Sequence, residues 1–378
     1  MKLELIATAA FGLEAVVRRE IEALGFKILN REDGRITYLA NEAGIVRSNL
    51  WLRSADRVLI KMGEFDVLTF EDLFQGMKAI PWEMLIPENG KFTVGAVSIK
   101  SKLSSVPACQ SVAEKALIER LSETYGKQHF SKTGAAFNVK LRLLNDHCTV
   151  TVDTSGDGLH KRGYRAANVE APIKETLAAA LVSLSFWKQG RALIDPFCGS
   201  GTIAIEAAMI GRNIAPGLNR SFAAEAWDFV PKEIWKRERS EAFKKIDQNA
   251  DIRIFASDIS KKAIAAAKEN AENAGVPDDI DFSVKSFSSF AGETQKEPSG
   301  IIVCNPPYGE RIGEKEQIES IYKEIKQFFE KNPSWSLFLI TNDKDFEKNA
   351  MGRSADRRRK LYNGRIETTY YQYHGKKL

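Results

Sequence analysis

Two stretches of this 378-residue sequence carry the residue types that chemistry needs. In the first, Asp195-Pro196-Phe197-Cys198-Gly199-Ser200-Gly201-Thr202, an acid closes the apolar run 192–194, and a glycine turn opens a run of helix formers at 203–210. Strand, glycine turn and helix in that order build the cofactor corner of an open α/β sheet. The second, Asn305-Pro306-Pro307-Tyr308, ends another apolar run at 301–304.

The first loop lacks the GxGxxG spacing of a dinucleotide site. Asp195 stands four residues before Gly199, and a carboxylate at a strand end suits an ammonium group, such as that of S-adenosylmethionine, better than a pyrophosphate. Gly199 and Gly201 let the backbone approach such a ligand, with Pro196, Phe197, Ser200 and Thr202 on the same turn. Glu206 is a second candidate, or else an exposed acid favoured by the helix dipole. Asp258 ends the strand at 253–257 and is placed to accept ribose hydroxyls, or else it is a helix-start acid beside Ser260.

In the second loop, the Asn305 side-chain oxygen and the Pro306 carbonyl are acceptors for the two N–H bonds of an exocyclic base amine. Such an amine is a poor nucleophile because its lone pair is delocalised into the ring. Pro306 and Pro307 stiffen the loop, and Tyr308 is suited to stacking on an extruded base. The alternative for this tetrapeptide is a strand-ending turn with a surface tyrosine. Together the loops point to methyl transfer from S-adenosylmethionine to a base nitrogen, most simply in RNA. Cys198 and Cys304 read as small buried residues.

Two basic stretches are further candidates. Lys100-Ser101-Lys102, followed by Ser104, Ser105 and Gln110, makes a phosphate-binding edge before a helix, or a solvated loop with ordinary capping. Arg162, Tyr164 and Arg165 suit RNA backbone contact and base stacking, or form a solvated linker. The run Arg353, Arg357, Arg358, Arg359 and Lys360 reads as a solvated face.

These residues need a scaffold. Residues 1–55 form a small α/β unit: Leu3, Leu5 and Ala7 alternate as a strand, and Leu13, Val16, Val17, Ile21 and Leu24 recur at helical spacing up to Gly25. Short strands follow at 27–29 and 35–39. Residues 56–158 form an α+β module with strands at 58–65, 92–96, 136–144 and 148–153, and helices at 70–77 and 107–125. Gly156 and Gly158 mark its end. Residues 159–378 alternate strand and helix and close with a hairpin, strands 359–362 and 366–373 around Asn363-Gly364. That pattern predicts a mostly parallel sheet with an antiparallel edge. The connection at 211–251 is unusually long and includes an amphipathic helix at 231–246.

Bulk properties set bounds. The length calls for two or three domains. A net charge of +5 and pI near 8.8 are compatible with a polyanionic partner. Four cysteines without a CxxC pair argue against a metal site and for a reducing cytoplasm. Neither a signal peptide nor a membrane span is expected; the longest apolar stretch, 177–187, is too short.

Taken together, Asp195 to Thr202 and Asn305-Pro306-Pro307-Tyr308-Gly309-Glu310-Arg311 resemble the THUMP-containing class I RNA methyltransferases. Within them, the chain is similar to the group that makes N2-methylguanosine in 23S rRNA, proteins often labelled N6-adenine-specific DNA methylases because the NPPY loop is shared. The resemblance extends over nearly the whole chain, through Asn49-Leu50-Trp51-Leu52-Arg53, Lys100 to Leu103, Pro107 to Gln110, Leu159 to Arg165 and Leu361 to Gly364. It implies a ferredoxin-like N-terminal region, a THUMP domain that helps bind structured RNA, and a Rossmann-like, seven-stranded methyltransferase domain. It also implies S-adenosylmethionine held by Asp195, Gly199 and Gly201 with Asp258 on its ribose, a target base gripped by Asn305, Pro306 and Tyr308, and Arg162, Tyr164 and Arg165 near the cleft. Many relatives place an acid after the third strand; here the segment is Val284-Lys285-Ser286-Phe287, which leaves Ser286 or the backbone to meet the adenine. Other readings are adenine-N6 methylation of DNA, guanine-N2 methylation of tRNA, and a non-catalytic ribosome-assembly factor. The oligomeric state stays open.

Overall fold

The computed structural model describes residues 1–166, 173–293, 297–307 and 314–376. The chain runs β1 (Leu3–Ala9), α1 (Glu14–Ala23), β2 (Lys27–Glu32), β3 (Arg35–Ala40), α2 (Glu42–Trp51), β4 (Ala55–Asp66), α3 (Phe70–Ala79), β5 (Lys91–Ile99), α4 (Val106–Tyr125), β6 (Ala136–Leu144) and β7 (His147–Asp153). It continues α5 (Glu175–Leu184), β8 (Ala192–Asp195), α6 (Thr202–Gly211), α7 (Lys232–Lys244), β9 (Ile254–Asp258), α8 (Lys261–Ala274), β10 (Ile280–Val284) and α9 (Phe287–Glu293). Last come β11 (Gly300–Cys304), α10 (Glu314–Lys331), β12 (Ser336–Thr341), β13 (Arg357–Asn363) and β14 (Ile366–Tyr373). Contacts group the residues into two units: Met1–Thr8, Arg18–Leu159 and Ser221–Glu241 in one, and Ala9–Val17, His160–Arg220 and Ala242–Leu378 in the other.

The first unit holds a seven-stranded sheet in the order β2-β3-β1-β4-β7-β6-β5. A boundary at 55/56 was expected from the sequence. In the structure β4 lies between β1 and β7, so strands from both sides of that boundary form one continuous sheet. Helix α2 had no expectation in the sequence. Asn41 caps it by accepting from the Gly44 N–H, and Asn49 on it is buried, donating to the Ile45 carbonyl and to Thr154 Oγ1. The segment Ser221–Glu241, assigned by sequence to the third domain, also packs in this unit. Trp227 stacks on Phe137 at 4.8 Å and donates its indole N–H to the Ala136 carbonyl at 3.0 Å.

The second unit holds a seven-stranded sheet in the order β10-β9-β8-β11-β12-β14-β13. Its strands are parallel up to β12, and β14 pairs antiparallel with both β12 and β13. Strands β8, β11 and β12 are buried along their whole length, as near-continuous apolar runs covered on both faces must be. The hairpin turn sits one residue later than expected: Asn363 pairs with Ile366, leaving Gly364 and Arg365 as the loop. Gly364 at φ +64° takes the first central position, where a two-residue turn of type II′ places glycine. Arg357, Arg358, Arg359 and Lys360 of the basic run lie on β13, the edge strand, and charged side chains on an edge discourage further pairing. Ser260 caps α8 by accepting from the Ala263 N–H, and Gly275 ends it at φ +74°, both as expected.

The strand order turns at β8, with β9 on one side and β11 on the other. In an open α/β sheet that switch leaves a crevice beyond the carboxyl ends of the strands.

Candidate active site

A cavity of about 670 Å³ lies at this crevice, within the range of small-molecule sites. Asp195, Pro196, Phe197, Gly199, Ser200 and Thr202 line it from the loop between β8 and α6. Asp258, Ile259 and Ser260 follow β9, Ser286 and Phe287 follow β10, and Asn305 and Pro307 follow β11. Ile173 and three α10 residues, Ser320, Ile321 and Glu324, complete the wall. Loops at the carboxyl ends of four adjacent parallel strands therefore meet in one place.

The glycine loop is fixed by backbone bonds. Gly199 has φ +52° and open space where a Cβ would stand, so the main chain itself forms the wall. Its N–H donates to Asp258 Oδ2 at 3.1 Å, while Asp258 Oδ1 accepts from the Ser260 N–H at 2.9 Å. Asp258 thus ties two rims of the cavity together. Gly201 has a different reason to be glycine. A Cβ there would meet the Ala267 Cβ at 3.0 Å and the Phe282 ring at 3.3 Å, and its φ is +80°. It lets α8 approach the loop closely, and it is not among the residues that line the cavity.

Two polar groups at the cavity are sealed from solvent with no hydrogen-bond partner among the described residues: the Asp195 carboxylate, on both oxygens, and Asn305 Oδ1. Buried polar groups are normally satisfied, so this unspent capacity is what a ligand would fill. Burial pushes the Asp195 carboxyl up to about 8, and the negative charge of Asp258 adds to the rise. An ammonium group in the cavity would reverse that shift. Phe197 and Phe287 stack with their rings 6.0 Å apart, and Ile259 stands 77% exposed at the rim, so apolar surface is on offer to a flat ring. The buried Asp195 carboxyl, the backbone loop, the Asp258 carboxylate at the rim and the apolar ring surface fit S-adenosylmethionine. Burial raises the Cys198 and Cys304 thiols well above their ordinary value, so both stay neutral.

The structure relocates four other sequence candidates. Glu206, on a helix buried almost all round, is 0% exposed. Its carboxylate takes Arg162 Nε at 3.3 Å, Arg162 Nη2 at 3.4 Å and the Tyr164 hydroxyl at 3.2 Å. A carboxylate cannot stay ionised in a core without such partners. Arg162 and Tyr164 are 3% and 2% exposed; they face Glu206 and not an RNA. Neither is Glu206 part of the cavity wall. Arg165 turns toward the glycine loop, donating to Glu175, Ser200 and Thr202.

Lys100 and Lys102 are exposed beyond β5 in the first unit, and neither ammonium makes an ion pair among the described residues. Ser286 lines the cavity, with its hydroxyl 3.2 Å from those of Ser288 and Ser289. Pro306 is described but does not line the cavity, and Tyr308 lies outside the described residues. Asn270 has no counterpart among the sequence candidates. It is fully buried in α8, accepts from the Ala166 N–H and donates to the Ser200 carbonyl, each at 3.0 Å. A buried asparagine on an alanine-rich helix was the available signal.

Comparison with known proteins agrees along the whole chain. Residues 4–59 match the RlmL ferredoxin-like domain, 68–153 the THUMP domain, and 162–372 the RMKL-like methyltransferase domain. YpsC of Bacillus subtilis (strain 168), provisionally named an RNA methyltransferase, is 48% identical over 99% of this chain and 97% of its own. Ribosomal RNA large subunit methyltransferase K/L of Psychromonas ingrahamii (strain DSM 17664 / CCUG 51855 / 37) is 32% identical over 98% of this chain, which spans 50% of that protein. The crystal structure of SMU.472 complexed with SAH superposes with a TM-score of 0.93 at 41% identity, covering 100% of this chain and 99% of that one.

Proposed function

Since this chain belongs to the family of RMKL-like methyltransferases that carry an RlmL ferredoxin-like domain and a THUMP domain, we propose that it methylates the exocyclic N2 amine of a guanine in structured RNA, 23S rRNA foremost. S-adenosylmethionine, when bound, supplies an electrophilic methyl group. The observation that carries this reading is the pairing in one cavity of two groups unsatisfied among the described residues, Asp195 and Asn305, at the ends of the hydrogen-bonded neighbours β8 and β11.

Asp195 receives the ligand's ammonium group, with the Gly199 backbone, Ser200 and Thr202 around the same end. Asp258 meets the ribose hydroxyls. Phe197 and Phe287 wall the adenine end beside Ser286. Asn305 Oδ1 and the Pro306 carbonyl accept the two N–H bonds of the target amine, which raises electron density on the nitrogen and fixes its orientation. Pro307 stiffens the loop, and Tyr308 stacks on the base. Lys100 and Lys102 contact RNA phosphates. The SAH held by SMU.472 and the ribosomal RNA in the K/L relative's name support this reading. A ribosomal substrate places the protein in the cytoplasm.

The division of labour between the loops is testable. Asn305→Ala should lower methyl transfer about 100-fold or more while leaving S-adenosylhomocysteine affinity, measured by titration calorimetry, nearly unchanged. An equal loss of ligand affinity would overturn the assignment of Asn305 to the acceptor.

A further inference from the structure

Arg165 reaches the cofactor loop from the segment ahead of α5. Its Nη1 donates to Ser200 Oγ at 3.1 Å, its Nη2 to Thr202 Oγ1 at 3.1 Å and to the Ile173 carbonyl at 3.3 Å, and its Nε to Glu175 Oε1 at 2.9 Å. Ile173, Ser200 and Thr202 all line the cavity, while Arg165 does not. The guanidinium therefore stands behind the wall and holds it.

The direction of these bonds matters. A guanidinium can only donate. Ser200 Oγ and Thr202 Oγ1 accept from it, so each hydroxyl keeps its own proton for a different partner. Ser200 is 4% and Thr202 2% exposed, and neither hydroxyl makes another hydrogen bond among the described residues. The cavity they line is where those protons find an acceptor. Thr202 also begins α6, a helix of 10 residues whose N-cap, Gly201, offers no side-chain acceptor to the first N–H groups. Free N–H groups and the helix dipole favour negative charge at that point. In the same loop, Asp195 offers the opposite polarity, a carboxylate sealed from solvent with no hydrogen-bond partner among the described residues.

We propose that Arg165 is a positioning residue for the α-carboxylate of the cofactor: it turns the Ser200 and Thr202 hydroxyls so that both donate to that carboxylate, while Asp195 receives the α-ammonium. Glu175 neutralises much of the Arg165 charge, so the cavity meets two oriented donors and not a bare cation. Asn270 steadies the arrangement by holding both the Ala166 N–H and the Ser200 carbonyl. This assignment rests on S-adenosylmethionine being the ligand.

The test compares two probes by titration calorimetry on the full chain: S-adenosylhomocysteine and its decarboxylated analogue, which keeps the amine and lacks the carboxylate. The wild-type protein should prefer S-adenosylhomocysteine by about 10- to 100-fold. Arg165→Met and Thr202→Val should each remove most of that preference while holding the analogue's affinity within about twofold. Thr202→Ser, which restores the hydroxyl, should restore the preference. If Arg165→Met does not fold, with Glu175 left unpaired, the Thr202→Val and Thr202→Ser pair decides alone. Equal weakening of both probes, or no preference in the wild-type protein, would overturn the proposal and leave the cofactor reading standing. Failure of the wild-type protein to bind S-adenosylhomocysteine would remove that reading itself.

Discussion

Asp195 is the residue on which structure and chemistry pull hardest against each other. Burial pushes its carboxyl from the usual carboxylate range up to about 8, so folding takes up a proton between the two. The ligand-free protein should therefore lose stability as pH rises from about 4 through 8. Asp195→Asn removes the buried charge and should raise Tm by roughly a few degrees at pH 8.5, with little gain at pH 5. The same change should abolish S-adenosylhomocysteine binding. In the wild-type protein, affinity should climb with pH and level off above 8, because binding needs the carboxylate. A flat Tm difference across pH would contradict this account of Asp195. Its position could be read from the sequence, as could those of Asp258 and Asn305, because each is a polar residue closing an apolar strand. The fate of Arg162, Tyr164 and Glu206 could not. Charge in a sequence suggests exposure, and the partner that permits burial of Arg162 stands 44 residues away.

At the scale of elements, α6 shows what the glycine loop requires behind it. The helix is buried along nearly all its length, and Glu206 is the one acid in it. Removing one member of a buried ion pair leaves the other uncompensated, at a cost of about 3–5 kcal/mol. Glu206→Ala should accordingly lower Tm by roughly 5–15 °C, followed by circular dichroism; a drop of under 2 °C or so would mean that the other contacts of Arg162 compensate its charge. The parallel strands were legible because burial on both faces demands apolar runs. Helix α2 was not, since it keeps Asn49 and Ser48 inside and blurs the helical stripe. The excursion at Ser221–Glu241 was hidden for a different reason: the acceptor for Trp227 lies 91 residues earlier, and no local pattern reports such a contact. The hairpin was legible in kind and off by one residue in register, since Gly364 occupies the first turn position and not the second.

For the molecule as a whole, each unit carries a separate part of the proposed task. The first, with its continuous sheet and the exposed Lys100 and Lys102, is suited to RNA phosphates. Lys100→Ala with Lys102→Ala should weaken RNA binding and reduce the slope of log affinity against log salt by about 1.5–2, leaving S-adenosylhomocysteine affinity unchanged. An unaltered salt slope would move the RNA contacts elsewhere. The second unit holds the cavity proposed for the chemistry. Among the described residues, no helix is long and apolar enough to cross a membrane. The product nucleoside decides whether the amine presented to this cavity is N2 of guanine in ribosomal RNA. Incubation with labelled S-adenosylmethionine and 23S rRNA from cells lacking this protein, followed by digestion and chromatography, should yield the label in N2-methylguanosine. Label recovered in N6-methyladenosine, or transferred to DNA in preference to RNA, would contradict it.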